Sequence, residues 1–397
     1  MTNHYLSELI FHDGLGQKKM EKLTIALNGS EYTLTEYVEH GYVNADLFNN
    51  VLNQARAFLK KVCDTHNHPD LNCKLYVYDL SEINAFTIKH AGRYLIAISV
   101  GGLAQLYNWF DLWAKCKDVR KKFEIADDQT KEFSEMLFQN AVNFLAAHEY
   151  YHVMNGHCDL PETEEHFLYE RSDSIVDKEH AVFLQCLEFD ADCCATAACV
   201  NQILLLAGQE NLLENLFIYL SRGKSVNSVK NPPDAKLSLN PVSEKGLIIR
   251  LKMLYFAIYS VFKLFSNEEQ ISFTDFIEMD LYEYDHPSAG IRMDYVGKLI
   301  ITVLERIVGS DKAVEYWEKA FQWIMSFEKD ILGANDPKCV FFAVALTEKG
   351  AKMSAEIANA WKYVKPRLDV YTHHKLAPYE EITPSAPVLD EEGKPYV

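Results

Sequence analysis

Two periods of hydrophobic residues divide the chain. Near the N-terminus the period is two. Residues 23–34 alternate about Asn28-Gly29, with Thr24, Ile25 and Leu27 before the turn and Tyr32, Thr33 and Leu34 after it, which predicts a β-hairpin. Residues 1–20 are mixed and polar and predict a loop or poorly ordered start. Helical spacing follows over about 44–62, with Leu47, Val51, Ala55, Phe58 and Leu59 on one face. Three strands are then expected at 74–79, 83–88 and 94–99, with Gly92 turning the chain between the last two. Gly101-Gly102 should end the third strand, 103–113 reads as a helix, and the charged residues 115–128 read as a loop.

From about Thr130 the period is helical almost to the end. Phe133, Leu137, Ala141 and Phe144 form one stripe, and Phe138, Val142, Leu145 and Val153 form its neighbour. A helix apolar over most of its circumference is central and buried. Asn155-Gly156 suits its end. Residues 161–177 are acidic without a core period and predict an exposed insertion. A second strongly apolar helix covers 180–207, closed by Gly208. A short helix at 212–220, a proline-containing flap at 222–244 and a helix at 246–265 should follow. Further helices are expected at 288–308, 311–328, 336–347 and 351–364, then an extended tail. The elements predict an α+β fold, mainly α-helical, with a small N-terminal β-sheet packed on the central helix.

Composition narrows the class. At 397 residues, 48% hydrophobic and 24% charged, the chain can bury a sizeable core. Its net charge of -18 repels nucleic-acid phosphates and anionic lipid, so neither is an expected partner. Nine cysteines, an odd number, include Cys186, Cys193, Cys194 and Cys199 in one helical segment, where they read as small core residues. Reduced thiols and a cytoplasmic location are expected. No signal peptide is visible, and the most apolar later run, 253–262, is too short to cross a bilayer. Oligomeric state is not legible.

The candidate chemistry sits on the central helix. His148 and His152 are one helical turn apart and can converge on one metal ion, with Glu149 beside it to take a proton from water. A His-Glu-x-x-His match alone arises by chance in roughly a few per cent of chains of this kind. A catalytic zinc takes three protein ligands and leaves one position for water. Glu188, on the next long helix, is the best third ligand, because a carboxylate in an apolar segment must be paired or bound to metal. Asp192, one turn on, is placed to accept a hydrogen bond from a liganding histidine. Two other arrangements stay open: Asp190 as the buried acid with Glu188 solvated, or Asp192 as the third ligand. His157 reads as a packing or capping histidine, and Tyr150 and Tyr151 as packing residues.

The sequence here resembles the zinc metallopeptidases that include the CAAX prenyl protease and the heat-shock protease HtpX. The motif extends to His-Glu-x-x-His-x-x-x-Gly-His over 148–157, and Glu188-Phe189-Asp190-Ala191-Asp192 is similar to the family's Glu-x-x-Ala-Asp segment. Asn84-Ala85-Phe86 with Gly92 and the next strand, and His286-Pro287 with Arg292, complete four motifs in order over about 74–295. The resemblance implies a gluzincin-like peptidase with one Zn2+ on His148, His152 and Glu188, and Glu149 as general base. An extended peptide would pair along Asn84, Ala85 and Phe86. His286 would help hold the oxyanion, and Arg292 would pair with Asp192 or orient His286. The family's best-known members carry transmembrane helices or an export signal, and this chain shows neither.

The expected organisation is a hairpin and helix at 1–70, a catalytic domain at 71–300, a helical extension at 301–365 and an extended tail at 366–397. The expected activity is zinc-dependent endopeptidase action on a protein or peptide, which would include a host-defence or phage-associated protease with one dedicated target. A catalytically silent or latched binding module and a zinc hydrolase of a non-peptide amide are the alternatives.

Overall fold

The computed structural model describes residues 22–27, 30–66, 73–160, 168–169, 178–206, 241–269, 286–331 and 341–377. The expected N-terminal loop, the helix at 212–220, most of the 222–244 flap, the start of the helix expected at 336–347 and the tail beyond 377 lie outside them.

The protein is α+β and mainly helical. Among the described residues, six strands form one sheet in the order β1-β2-β3-β5-β4-β6. Strands β1 (Lys22–Leu27) and β2 (Ser30–Thr35) pair antiparallel as the predicted hairpin. β3 (Cys73–Tyr78) lies parallel to β5 (Arg93–Ser99), and β4 (Ala85–His90) is antiparallel to β5. The β4–β5 turn is Ala91-Gly92, with φ of 48° and 74°. A two-residue hairpin of this hand needs positive φ at both positions, which glycine supplies without strain.

Alternation gives the sheet two faces. Leu75, Val77, Ala85, Ile96 and Ile98 join the main core, against the helices. Tyr76, Tyr78, Phe86, Ile88, Leu95 and Ala97 point the other way, where Ile25 and Leu34 of the curled hairpin meet them.

Helix α1 (Ala45–Thr65) packs on α4 (Thr130–Met154), as does α2 (Val100–Lys115). The glycines at 101 and 102 do not precede α2 but form its first turn. Ser99 caps it by accepting from Gly102 N, and the backbone at Ser81 passes too close to Gly101 for any side chain there. The charged stretch at 115–128, expected as a loop, contains a short helix, α3 (Lys117–Phe123), because Val119 and Phe123 insert into the core.

α4 is the axis. Phe133, Leu137, Phe138 and Phe144 are fully buried on different sides of it. Each such side chain contributes roughly 1.5–3 kcal/mol. Around it lie α5 (Lys178–Leu206) and α6 (Pro241–Glu269). α6 begins at Pro241, within the expected flap, since proline is preorganised for a helix's first turn. Helices α7 (Ala289–Val308), α8 (Ser310–Ser326) and α9 (Glu348–Leu368) follow, and the hydrophobic core runs unbroken through all of them.

The cysteines of α5 are core residues, as expected. The eight cysteines among the described residues are free thiols, and burial pushes the Cys186 thiol well up. No helix among the described residues is long and apolar enough to cross a membrane.

Two further segments differ from expectation. Within 161–177, Leu168–Tyr169 forms β6 and pairs with β4, Phe86 opposite Tyr169 and Thr87 opposite Leu168. The expected extended tail instead continues α9 to Leu368, and residues 369–377 then fold back onto the end of α4.

Candidate metal centre

α4 and α5 pack antiparallel, as shown by three cross-links in reversed order: Asn143 to Gln202, His148 to Asp192 and His157 to Asp190. Helical spacing puts His148 and His152 on one face of α4, and Glu188 and Asp192 on one face of α5. Packing turns these faces together. His148 Nε2 lies 3.0 Å from His152 Nε2, 3.2 Å from Glu188 Oε2, and His152 Nε2 lies 3.3 Å from Glu188 Oε1. All three residues are buried, and their ligand atoms lie close enough together to hold one metal ion.

The surrounding polar contacts decide which atoms face that point. Asp192 Oδ1 sits 3.0 Å from His148 Nδ1, an ion-pair distance at which the carboxylate favours the proton on that nitrogen and leaves Nε2 its lone pair. Arg292 grips Asp192 from behind, Nε to Oδ2 and Nη2 to Oδ1, each at 2.9 Å, with its guanidinium over the Phe262 ring. On the other histidine, His152 Nδ1 is 2.9 Å from His157 Nδ1, and His157 Nε2 is 3.2 Å from Asp190 Oδ2. Asp190 accepts, so His157 donates from Nε2, takes the His152 proton on Nδ1, and leaves His152 Nε2 bare.

This arrangement fits a cation. Two imidazole lone pairs 3.0 Å apart repel each other unless a cation or proton lies between them. Bonds of ~2.0–2.1 Å to a tetrahedral ion set ligand atoms about 3.3 Å apart, close to the three separations found. Glu149, Glu188, Asp190 and Asp192 are all buried, and among the described residues Arg292 is the one buried arginine set against them. A divalent ion offsets most of that excess of carboxylates.

Glu149 is buried beside the triad, and its Oε2 accepts from Thr87 Oγ1 at 2.7 Å. Thr87 follows Asn84-Ala85-Phe86 directly and shares with Ala85 the face of β4 that meets α4. Ala85 and Phe86 open β4, and Asn84 just before it donates its N–H to Ser99 Oγ at 3.0 Å. His286 stands ahead of α7, its Nε2 3.7 Å from Glu188 Oε1. Tyr150 and Tyr151 are core residues, and burial raises both hydroxyls.

The structure thus brings together His148, Glu149, His152, Glu188, Asp192, His286 and Arg292. Of the open arrangements, Glu188 joins the histidines, while Asp192 and Asp190 each stand behind one of them. The roles of Thr87, His157 and Asp190 were not legible from residue spacing. Strand alternation from Ala85 is the signal that could have singled out Thr87.

Arg292 holds Asp192 rather than reaching the triad centre, although its Nη2 comes within 3.5 Å of Glu188 Oε2. Arg292→Ala is expected to destabilise the fold by ~3–5 kcal/mol, because it strands a buried carboxylate. Arg292→Lys should recover part of this, as a point charge cannot make both bonds. Urea denaturation checks both, and a wild-type midpoint for Arg292→Ala would detach Asp192 from its guanidinium.

Comparison with protein-family models, with curated proteins and with solved structures finds no match for this chain. The chemistry is read from the site itself.

Proposed function

We propose that the chain is a zinc-dependent peptidase, similar in its motifs to the metallopeptidases of the CAAX prenyl protease and HtpX. One observation carries the proposal: three buried donors, His148 Nε2, His152 Nε2 and the Glu188 carboxylate, lie 3.0–3.3 Å from one another, and the residue next to His148, Glu149, has its carboxylate held by Thr87. Two imidazoles and one carboxylate favour zinc, and three protein donors leave one tetrahedral position for chemistry.

When bound, the ion supplies Lewis acidity at the scissile carbonyl and lowers the pKa of water to about 7. Glu149 takes the proton of the attacking water and returns it to the leaving amine. Thr87 orients the Glu149 carboxylate for both transfers. Asp192 and His157 keep the protons of His148 and His152 on the nitrogens that face away from the site. His286, beside Glu188, is the residue placed to steady charge on the substrate oxygen. The reading extends to a protein or peptide substrate and to a reducing compartment that suits the buried thiols.

A second reading, a latched form of the same peptidase, is favoured by β6. The edge of β4 along which an extended peptide would pair carries Leu168–Tyr169 of the chain itself.

The test is a search for new protein N-termini in cells expressing the wild type or Glu149→Gln. A set of cleavages confined to the wild type is expected. Identical N-termini in both would sink the peptidase assignment.

A further inference from the structure

The end of α4 is held by a segment far away in sequence. The helix stops at Asn155, and Gly156 reverses the chain with φ of 81°. Residues 369–377 lie across this turn. His373 N donates to Met154 O at 2.8 Å, and Thr372 Oγ1 lies 3.2 Å from the same carbonyl while its proton has a nearer acceptor in His374 O at 2.8 Å. A Cβ on Gly156 would stand 2.6 Å from the Tyr371 carbonyl carbon. Carbonyls at a helix end have no partner within the helix, and here the C-terminal segment supplies one. The segment is itself anchored: Trp361 Nε1 donates to Ala377 O at 2.9 Å, and Leu376 is buried.

Capping alone does not account for His374. Its Nε2 lies 2.6 Å from Asn155 Oδ1. The other end of that amide, Nδ2, donates to Asp190 Oδ2. The two bonds together determine which way the Asn155 amide faces. Asp190 Oδ2 also receives His157 Nε2, and His157 Nδ1 meets His152 Nδ1. An unbroken line of hydrogen bonds therefore runs from His374 through Asn155, Asp190 and His157 to a ligand of the candidate metal. Each bond sets where the next proton lies. If the Asn155 amide turned over, Asp190 would face an oxygen, and the hold on His157 would weaken.

We propose that His374 is a positioning residue for the metal ligand His152, acting through Asn155, Asp190 and His157, and that residues 369–377 are part of the metal site. This rests on the reading of His148, His152 and Glu188 as metal ligands. The backbone bond from His373 N to Met154 O caps the helix whatever side chain stands at 374, so a substitution there separates positioning from capping.

The experiment measures zinc affinity of the full chain, by competition with a chromogenic chelator, and the visible spectrum of the cobalt-loaded protein. It compares wild type, His374→Ala, His374→Gln, Asn155→Ala and the double variant Asn155→Ala with His374→Ala. Hydrogen-bonding neighbours of metal ligands typically command ~10–100-fold in affinity. His374→Ala is expected to lose about 10-fold, with a shifted cobalt spectrum and an unchanged metal-free Tm. His374→Gln, whose amide can still donate to Asn155 Oδ1, should recover most of the loss. The double variant should bind no more weakly than Asn155→Ala, as expected for two members of one line. Wild-type affinity and spectrum in His374→Ala, or equal losses in the alanine and glutamine variants, would overturn the proposal. A wild type that takes up neither zinc nor cobalt would instead remove the metal reading beneath it.

Discussion

Glu149→Gln is expected to keep its metal and to lose peptide hydrolysis by about 10²–10⁴-fold, the usual contribution of a positioned general acid–base group. Glutamine has the shape of glutamate, and its amide oxygen can still accept from Thr87 Oγ1, which lies 2.7 Å from Glu149 Oε2. Packing around this buried position is therefore retained. What is lost is the ability to accept a proton. Glu149 is adjacent to His148 in sequence but is not among the three convergent donors, so metal content should not change. Turnover of a casein or peptide-library substrate and metal analysis of the same sample check the two halves separately. Cleavage at the wild-type rate would remove Glu149 from its role, and loss of the metal would make it a support of the ligand set.

The second large effect is on the metal itself. Glu188→Ala is expected to leave the protein without metal at neutral pH. Its carboxylate oxygens lie 3.2 Å from His148 Nε2 and 3.3 Å from His152 Nε2, and no other carboxylate among the described residues completes the triad. Losing a ligand should cost more than the ~10–100-fold that a ligand's neighbour commands. Asp192 cannot readily substitute, because Arg292 and His148 Nδ1 already occupy its two oxygens. Wild-type protein stripped by a chelator should gain stability when zinc is restored, about 2.7 kcal/mol at 100 times Kd. The variant should not respond. Full metal occupancy in Glu188→Ala would point to Asp192 or Asp190 as the third ligand.

Much of the fold was legible in the sequence. The hairpin at 23–34, strands β3, β4 and β5, and helices α1, α4 and α5 follow from period two or period 3.6, because each buries one face or all of its surface in a predictable direction. Boundaries set by a few long-range contacts were not. α3 exists because Val119 and Phe123 find the core, and α6 begins early at Pro241. The path of 369–377 follows from its dock on Met154, Asn155 and Gly156, which no local pattern announces.

The candidate site divides in the same way. His148 with His152, and Glu188 with Asp192, were paired by the sequence itself, since residues four apart share a helix face whatever surrounds them. That gave two candidate ligands, a candidate carboxylate for the third and a carboxylate one turn beyond it. Only the tertiary structure decided that Glu188 meets both histidines, that Asp192 serves His148, and that His157, Asp190, Asn155 and His374 stand behind His152. It also put Thr87 against Glu149 and β6 on the edge of β4. The physical reason is that helical and strand periods set the direction of a side chain about its own element. Which element it then faces is chosen by the packing of α4 against α5, the sheet and the C-terminal segment, across separations that no period spans.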